Sequence, residues 1–227
     1  MLQPDGMRKL VRSTFIATAI LVILVGTVWG FRFFTVLHQN QVDAQATNNA
    51  ITGFPLSGKL APDVKLVDQF GQTVTLSSLR GHEVVLAFID ARCTTLCPLT
   101  AEIMYNARAQ LKSSEASQVM LVAINANPTA TGIPVVQGWS IAHGMLHQWL
   151  FLTGTTKQLQ AAYHLYNVYD QVSNGQAVHD PSTFIIDANG HERLFFETLD
   201  SNSKTDLSSE ELGLVAGMQQ WLPQHST

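Results

Sequence analysis

The segment Cys93-Thr-Thr-Leu-Cys97-Pro98 constrains the fold more than any other stretch of the chain. It holds both cysteines of a 227-residue sequence. Residues 84–89 before it (VVLAFI) are a continuous apolar run of strand length. From Pro98 onward come good helix formers, with Ile103, Ala107 and Leu111 at four-residue spacing, which predicts a helix over residues 100–112. A second apolar run, residues 119–124 (VMLVAI), follows. Strand, cysteine turn, helix and strand make a βαβ unit, so the chain is committed to an α/β fold with the cysteines where a strand hands over to a helix.

The remaining pattern fills in around this unit. Residues 60–68 and 72–76 read as two short strands about the turn Gln69-Phe-Gly71. Pro134 suits a first helical turn and opens a helix over 134–145. Residues 149–152 are a short strand, 155–163 a short helix and 183–187 (TFIID) a third central strand. Asn189-Gly190 is a tight-turn signal, with residues 193–196 returning as its hairpin partner. Residues 208–222 make a terminal helix, with Ser208 and Glu211 in capping-box spacing. The predicted order β-β-β-α-β-α-β-α-β-β-α gives a mixed central sheet flanked by helices, a thioredoxin-like order with an N-terminal extension and an insert between its halves.

The N-terminus is of another kind. Residues 1–12 carry Arg8, Lys9 and Arg12, and residues 15–31 are seventeen residues without a charge. At about 1.5 Å per residue this run nearly spans a ~30 Å hydrocarbon core, and Ser13 and Thr14 extend it. The basic flank favours a cytoplasmic N-terminus. A cleaved signal peptide is the alternative, but residues 32–38 (RFFTVLH) are bulky where a cleavage site needs small residues. The expected organisation is a basic cytoplasmic N-terminus (1–12), a transmembrane anchor (13–34), a flexible linker (35–57) and a thioredoxin-like domain (58–225). The soluble domain is therefore expected on the extracytoplasmic side, periplasmic or at the outer face. Residues 39–227 hold nine basic and sixteen acidic side chains, a net formal charge of −7, which argues against nucleic acid as a partner.

A thiol at a helix N-terminus meets free backbone N–H groups and the positive end of the helix dipole, and both favour the thiolate. The thiolate is the form that attacks disulfides and binds metals. Three residues separate the cysteines, one more than in a thioredoxin redox pair, so a disulfide stays possible while the sulfurs can open around a soft ion such as copper(I). Asp90, three residues before Cys93, either accepts a thiol proton or pairs with Arg92. His143 and His147 are four apart but lack a nearby carboxylate, and read as exposed imidazoles. A structural disulfide is the plain alternative for the cysteines, but it closes a very short loop and makes a poor staple.

The chain resembles the Sco/SenC family, membrane-anchored thioredoxin-like proteins that handle copper for cytochrome oxidase assembly. The residues that carry the resemblance are Phe70-Gly71 with Val74-Thr75-Leu76, the run 84–88, Cys93-x-x-x-Cys97-Pro98, Trp149-Leu-Phe-Leu-Thr-Gly154, and His179 leading into Phe184-Ile-Ile-Asp187-Ala-Asn-Gly190. The similarity runs over about residues 58–222. It implies one copper ion held by Cys93, Cys97 and His179, with His179 on the loop before the third central strand, close to Pro181, where thioredoxin-like folds place a cis-proline facing the dithiol. Asp180 is a weaker candidate to orient that imidazole. Two segments depart from the family pattern: Ile89-Asp90-Ala91-Arg92 stands where an aromatic and a threonine are frequent, and Ile124-Asn-Ala-Asn-Pro128 where a Val-Asp-Pro type segment is usual.

The resemblance thus implies a copper-binding transfer protein rather than a turnover enzyme, with the copper-site subunit of a respiratory oxidase as partner and a thiol–disulfide reductant serving its redox-active dithiol. Two rivals stay open. One is an extracytoplasmic thiol–disulfide reductase in which Cys93 attacks and Cys97 resolves. The other is an adaptor whose dithiol is idle.

Overall fold

The computed structural model describes residues 26–38, 53–168, 170–173, 176–179, 181–198 and 204–223. The chain divides into two units, residues 1–48 and 49–227. In the first, residues 26–38 are a helix (α1) with exposed Trp29, Phe31 and Phe33. The expected anchor lies mostly in residues 1–25, outside the described residues, and no described helix is long and apolar enough to cross a membrane.

In the second unit the run read as the first central strand is β4, Glu83–Ile89, buried along its whole length. Burial on both faces explains why residues 84–89 are apolar throughout instead of alternating. Beside it, β5 (Val119–Asn125) pairs in parallel and β6 (Leu150–Leu152) continues the parallel edge. On its other side β9 (Ser182–Ile186) runs antiparallel, followed by β10 (Glu192–Glu197) and the two-residue β1 (Phe54–Pro55). The six-stranded sheet has the order β1-β10-β9-β4-β5-β6, the mixed sheet of a thioredoxin-like fold. A separate hairpin joins β2 (Lys65–Val67) and β3 (Thr73–Thr75).

Successive β4 side chains feed two cores. Val85, Ala87 and Ile89 pack on one face with Met104, Ala107, Trp139, Leu214 and Met218. Those residues come from α2 (Leu96–Ala109), α4 (Ile133–Ala142) and α6 (Lys204–Trp221). Val84, Leu86 and Phe88 pack on the other face with Leu66, Val74, Leu159 and Tyr163, the last two from α5 (Thr156–Leu165). A short helical turn, α3 (Ser113–Ala116), links α2 to β5.

Three expectations need correction. Helix α2 starts at Leu96, not at residue 100, so Cys97 lies inside its first turn. Helix α6 starts at Lys204, which leaves Ser208 one turn inside the helix and not at its cap. Capping spacing is a local signal, and residues 204–207 contain no glycine or proline to stop the helix from running through it. The insert between the two halves contains a hairpin, β7 (Asp170–Ser173) with β8 (Gln176–His179). Residue 179 is thus the last of a strand, opposite Asp170, and not part of a loop.

Candidate functional site

The dithiol sits where β4 ends and α2 begins. Asp90 follows the strand and folds the chain back, its backbone carbonyl accepting from the Cys93 N–H at 3.0 Å. Its carboxylate accepts from the Arg92 backbone N–H at 2.7 Å and from the Asn127 side-chain amide at 3.0 Å. Asp90 is 5 % exposed. A pair with the Arg92 guanidinium, one of the two alternatives for Asp90, is absent among the described residues; the backbone of Arg92 takes its place. Asn127 is held by the Asn125 carboxamide through its own N–H, and it accepts from the Thr129 N–H and hydroxyl. Amides after β5 thus support the carboxylate after β4.

Thr95 is the N-cap of α2, and Pro98 falls in the first turn, where its missing N–H costs nothing. Both cysteines are reduced; Cys93 is partly exposed and Cys97 buried. The Cys93 sulfur accepts from the Cys97 thiol, and burial opposes this, but the Cys97 and Thr95 backbone N–H groups and the Thr95 hydroxyl at 3.6 Å add to it. The Cys93 pKa falls from 9.0 to about 4. The Cys97 thiol is pushed well above its ordinary value, because it donates to Cys93, is buried, and lies beside the Cys93 charge. The pair is therefore one partly exposed thiolate backed by one buried, protonated thiol, which suits both attack on a disulfide and capture of a soft cation.

Trp139 of α4 lies against the turn, its indole N–H donating to the Cys93 carbonyl at 3.3 Å. Sequence reasoning missed it. Its only signal was a large aromatic on the core-facing side of a helix.

The structure brings Cys93 and Cys97 together. For His179 it fixes the backbone at the end of β8, but the side chain lies outside the described residues, as does Asp180. The Asp180–Pro181 bond, where a cis-proline was expected, is outside them too. Pro181 itself is half-buried, and its carbonyl accepts from the Thr198 N–H. The sequence signal for the β7–β8 hairpin was Asn174-Gly175, a dipeptide favoured in two-residue hairpin turns. His143 and His147 do not converge: His143 packs at a tilt against Trp139 at 4.1 Å and His147 stacks on Phe70 at 5.8 Å. Among the described residues no three His, Cys, Asp or Glu side chains cluster as metal ligands.

The sequence pattern of the SCO1/SenC family matches residues 56–211. The solution structure of apo Sco1 from Thermus thermophilus superposes with a TM-score of 0.63 at 22 % identity, over 75 % of this chain and 96 % of that one. Copper-bound ScoI from Arabidopsis thaliana gives a TM-score of 0.61 at 20 % identity, over 72 % and 100 %. BsSco, described as a member of the Sco family of cytochrome c oxidase assembly proteins with a disulfide switch, gives 0.55 at 20 % identity, over 71 % and 96 %. No curated protein matches the chain.

Proposed function

The chain belongs to the SCO1/SenC family, and we propose that it is a membrane-anchored copper-binding protein that delivers one copper ion for cytochrome c oxidase assembly. Copper is its cargo, held by Cys93, Cys97 and His179. The observation that carries this reading is the unequal dithiol at the start of α2: a partly exposed Cys93 thiolate over a buried Cys97 thiol. Such a pair fits a soft cation, because one sulfur is already ionised and the second needs only to lose its proton as the ion arrives. The copper-bound and oxidase-assembly descriptions of similar Sco proteins support the reading. Residues 13–34 serve as the anchor, with the N-terminus cytoplasmic and the dithiol domain outside. The partner is the copper-site subunit of a respiratory oxidase.

The test is copper retention against a chelator under reducing conditions for the parent, Cys93→Ser, Cys97→Ser and His179→Ala. Loss of the imidazole opens a coordination position, so His179→Ala is expected to retain copper at least tenfold less well. Each serine variant is expected to lose it. Retention by His179→Ala equal to the parent's removes His179 from the ligand set. Activity of a cytoplasm-only reporter fused at Thr227 overturns the topology.

The same inequality supports a second reading, thiol–disulfide reduction of a partner. The Cys93 thiolate attacks the partner's disulfide; a Cys93–partner S–S bond forms, and the partner's other sulfur leaves as a thiolate and takes a proton. Cys97 then loses its proton and attacks the Cys93 sulfur. The intramolecular disulfide forms, the mixed one breaks, and the second partner thiol is released. This reading does not need His179, so His179→Ala that loses copper but reduces disulfides at the parental rate separates the two activities.

A further inference from the structure

The Cys93 carbonyl is a polar group of the turn that α2 does not satisfy. Carbonyls join the helix ladder only from the N-cap onward, and Cys93 lies two residues before that cap. A part-buried carbonyl is best served by a donor from elsewhere in the fold, and Trp139 provides it. The indole is 7 % exposed and held on three sides. It stacks on Trp149 at 5.5 Å and 23°, meets Phe151 edge-on at 5.7 Å, and is covered by His143. Trp149 in turn donates to the Ser140 hydroxyl on the same helix. The donor that holds Cys93 is thus fixed by an aromatic stack between α4 and β6.

The Cys93 peptide is therefore pinned on both sides, its N–H by Asp90 and its carbonyl by Trp139. We infer that Trp139 is a positioning residue for the dithiol: by holding the Cys93 carbonyl it keeps the Cys93 sulfur over the first N–H groups of α2 and so favours the reduced form. The inference rests on the dithiol being the working site under either functional reading. Releasing the carbonyl lets the turn drift, the sulfur loses donors that matter only to the reduced state, and the disulfide gains ground.

Redox equilibrium against glutathione tests this. The reduced protein gives two electrons and two protons to glutathione disulfide; the Cys93–Cys97 bond forms, the glutathione S–S bond breaks, and two glutathione thiols are released. Trp139→Phe keeps a ring in the stack and removes the N–H. It is expected to shift the equilibrium constant roughly tenfold toward the disulfide, about 30 mV more reducing for this two-electron couple. Trp149→Phe disturbs the same stack without touching the Cys93 carbonyl and is expected to shift it less than about twofold. Replacing Trp139 by the isosteric benzothienylalanine removes only the donor, and serves if the phenylalanine variant does not fold. A Trp139 variant with the parental potential, or an equal shift in Trp149→Phe, overturns the inference. A parent with no reversible dithiol–disulfide equilibrium overturns the functional reading itself, and the inference with it.

Discussion

An acid marks each end of strand β4, Glu83 as its first residue and Asp90 just past its last. At its start Glu83 is 0 % exposed, and neither carboxyl oxygen has a hydrogen-bond partner among the described residues. Burial, and then the charge of Asp187 on the neighbouring strand's exit, push its pKa from 4.5 to about 9, so it is a neutral acid in the core at pH 7. At the finish Asp90 is buried too, but a backbone N–H and the Asn127 amide both donate to it. The difference lies in the supporting loops. The chain turns back on itself after residue 89 and offers N–H groups there; at the start of β4 the Glu83 N–H is spent on the Gln118 carbonyl, and those of Gly81 and His82 on the Ala188 and Leu79 carbonyls. Buried acids are tolerated at both ends, but only the dithiol end is built with donors, and that is the end that must hold a charged sulfur.

The two ends also respond to pH with opposite sign. Glu83 binds its proton more tightly folded than unfolded, so its contribution is complete below about pH 4.5 and is lost as pH rises toward about 9. Cys93 holds its proton less tightly folded, so its contribution is complete above about pH 9 and is lost as pH falls toward about 4. Across that window the two slopes oppose each other.

The largest expected effect is on Cys93 reactivity. An ordinary thiol gains about a thousandfold in thiolate between pH 5 and 8. Alkylation of Cys93 is expected to be nearly flat over that range, with Cys97 unmodified until the protein unfolds; stopped-flow alkylation with mass-spectrometric site assignment measures both. A steep rise for Cys93 erases the contrast between the two ends.

Next in size is Glu83→Gln. From pH 4.5 to 7, at about 1.4 kcal/mol per pH unit, the buried acid costs roughly 3–4 kcal/mol. The glutamine variant should escape this cost, less whatever its unpaired amide loses, and its stability should rise with pH as the Cys93 slope is exposed. Denaturant melts at pH 5, 7 and 9 read this directly. Oxidation to the disulfide removes the Cys93 slope instead, so the oxidised parent should lose stability over the same range.

A smaller change is expected from Asn127→Asp. It sets a second carboxylate at hydrogen-bond distance from Asp90, and the two must share a proton. A loss of about 2 kcal/mol at pH 8 is expected, shrinking at pH 5. A variant as stable as the parent at both values means that the Asn127 amide does not support Asp90. The smallest effect belongs to Arg193→Ala at the opposite end. Burial pushes the Asp187 carboxyl up, but the His191 N–H, Arg193 and the Asn189 N–H win, and it ends below its ordinary value. Losing Arg193, bonded at 2.6 and 2.7 Å, should raise that pKa by NMR titration and cost about 1 kcal/mol, since two backbone N–H donors remain.

Much of this was legible in the chain itself. Apolar runs of strand length place β4, β5 and β9 to within a residue or two, because strands buried on both faces read as near-continuous apolar runs. The cysteines are placed by the same logic, at the handover from strand to helix. Ends of helices were read less well. The start of α2 depends on how the turn after Asp90 folds, and the start of α6 on where the chain leaves β10, and neither is written in local spacing.

What the sequence by itself determined, then, is the α/β order, the two-sided core and a dithiol at a helix start. Each follows from the period and length of apolar runs, which short-range physics reads directly. Only the tertiary structure decided how unequal the two thiols are, which acid is paired and which is not, and that Trp139 holds the Cys93 carbonyl. Those depend on donors brought in from residues tens of positions away, Asn127 from beyond β5 and Trp139 from α4. A hydrogen bond needs its partner within about 3 Å, and only the folded chain sets that distance.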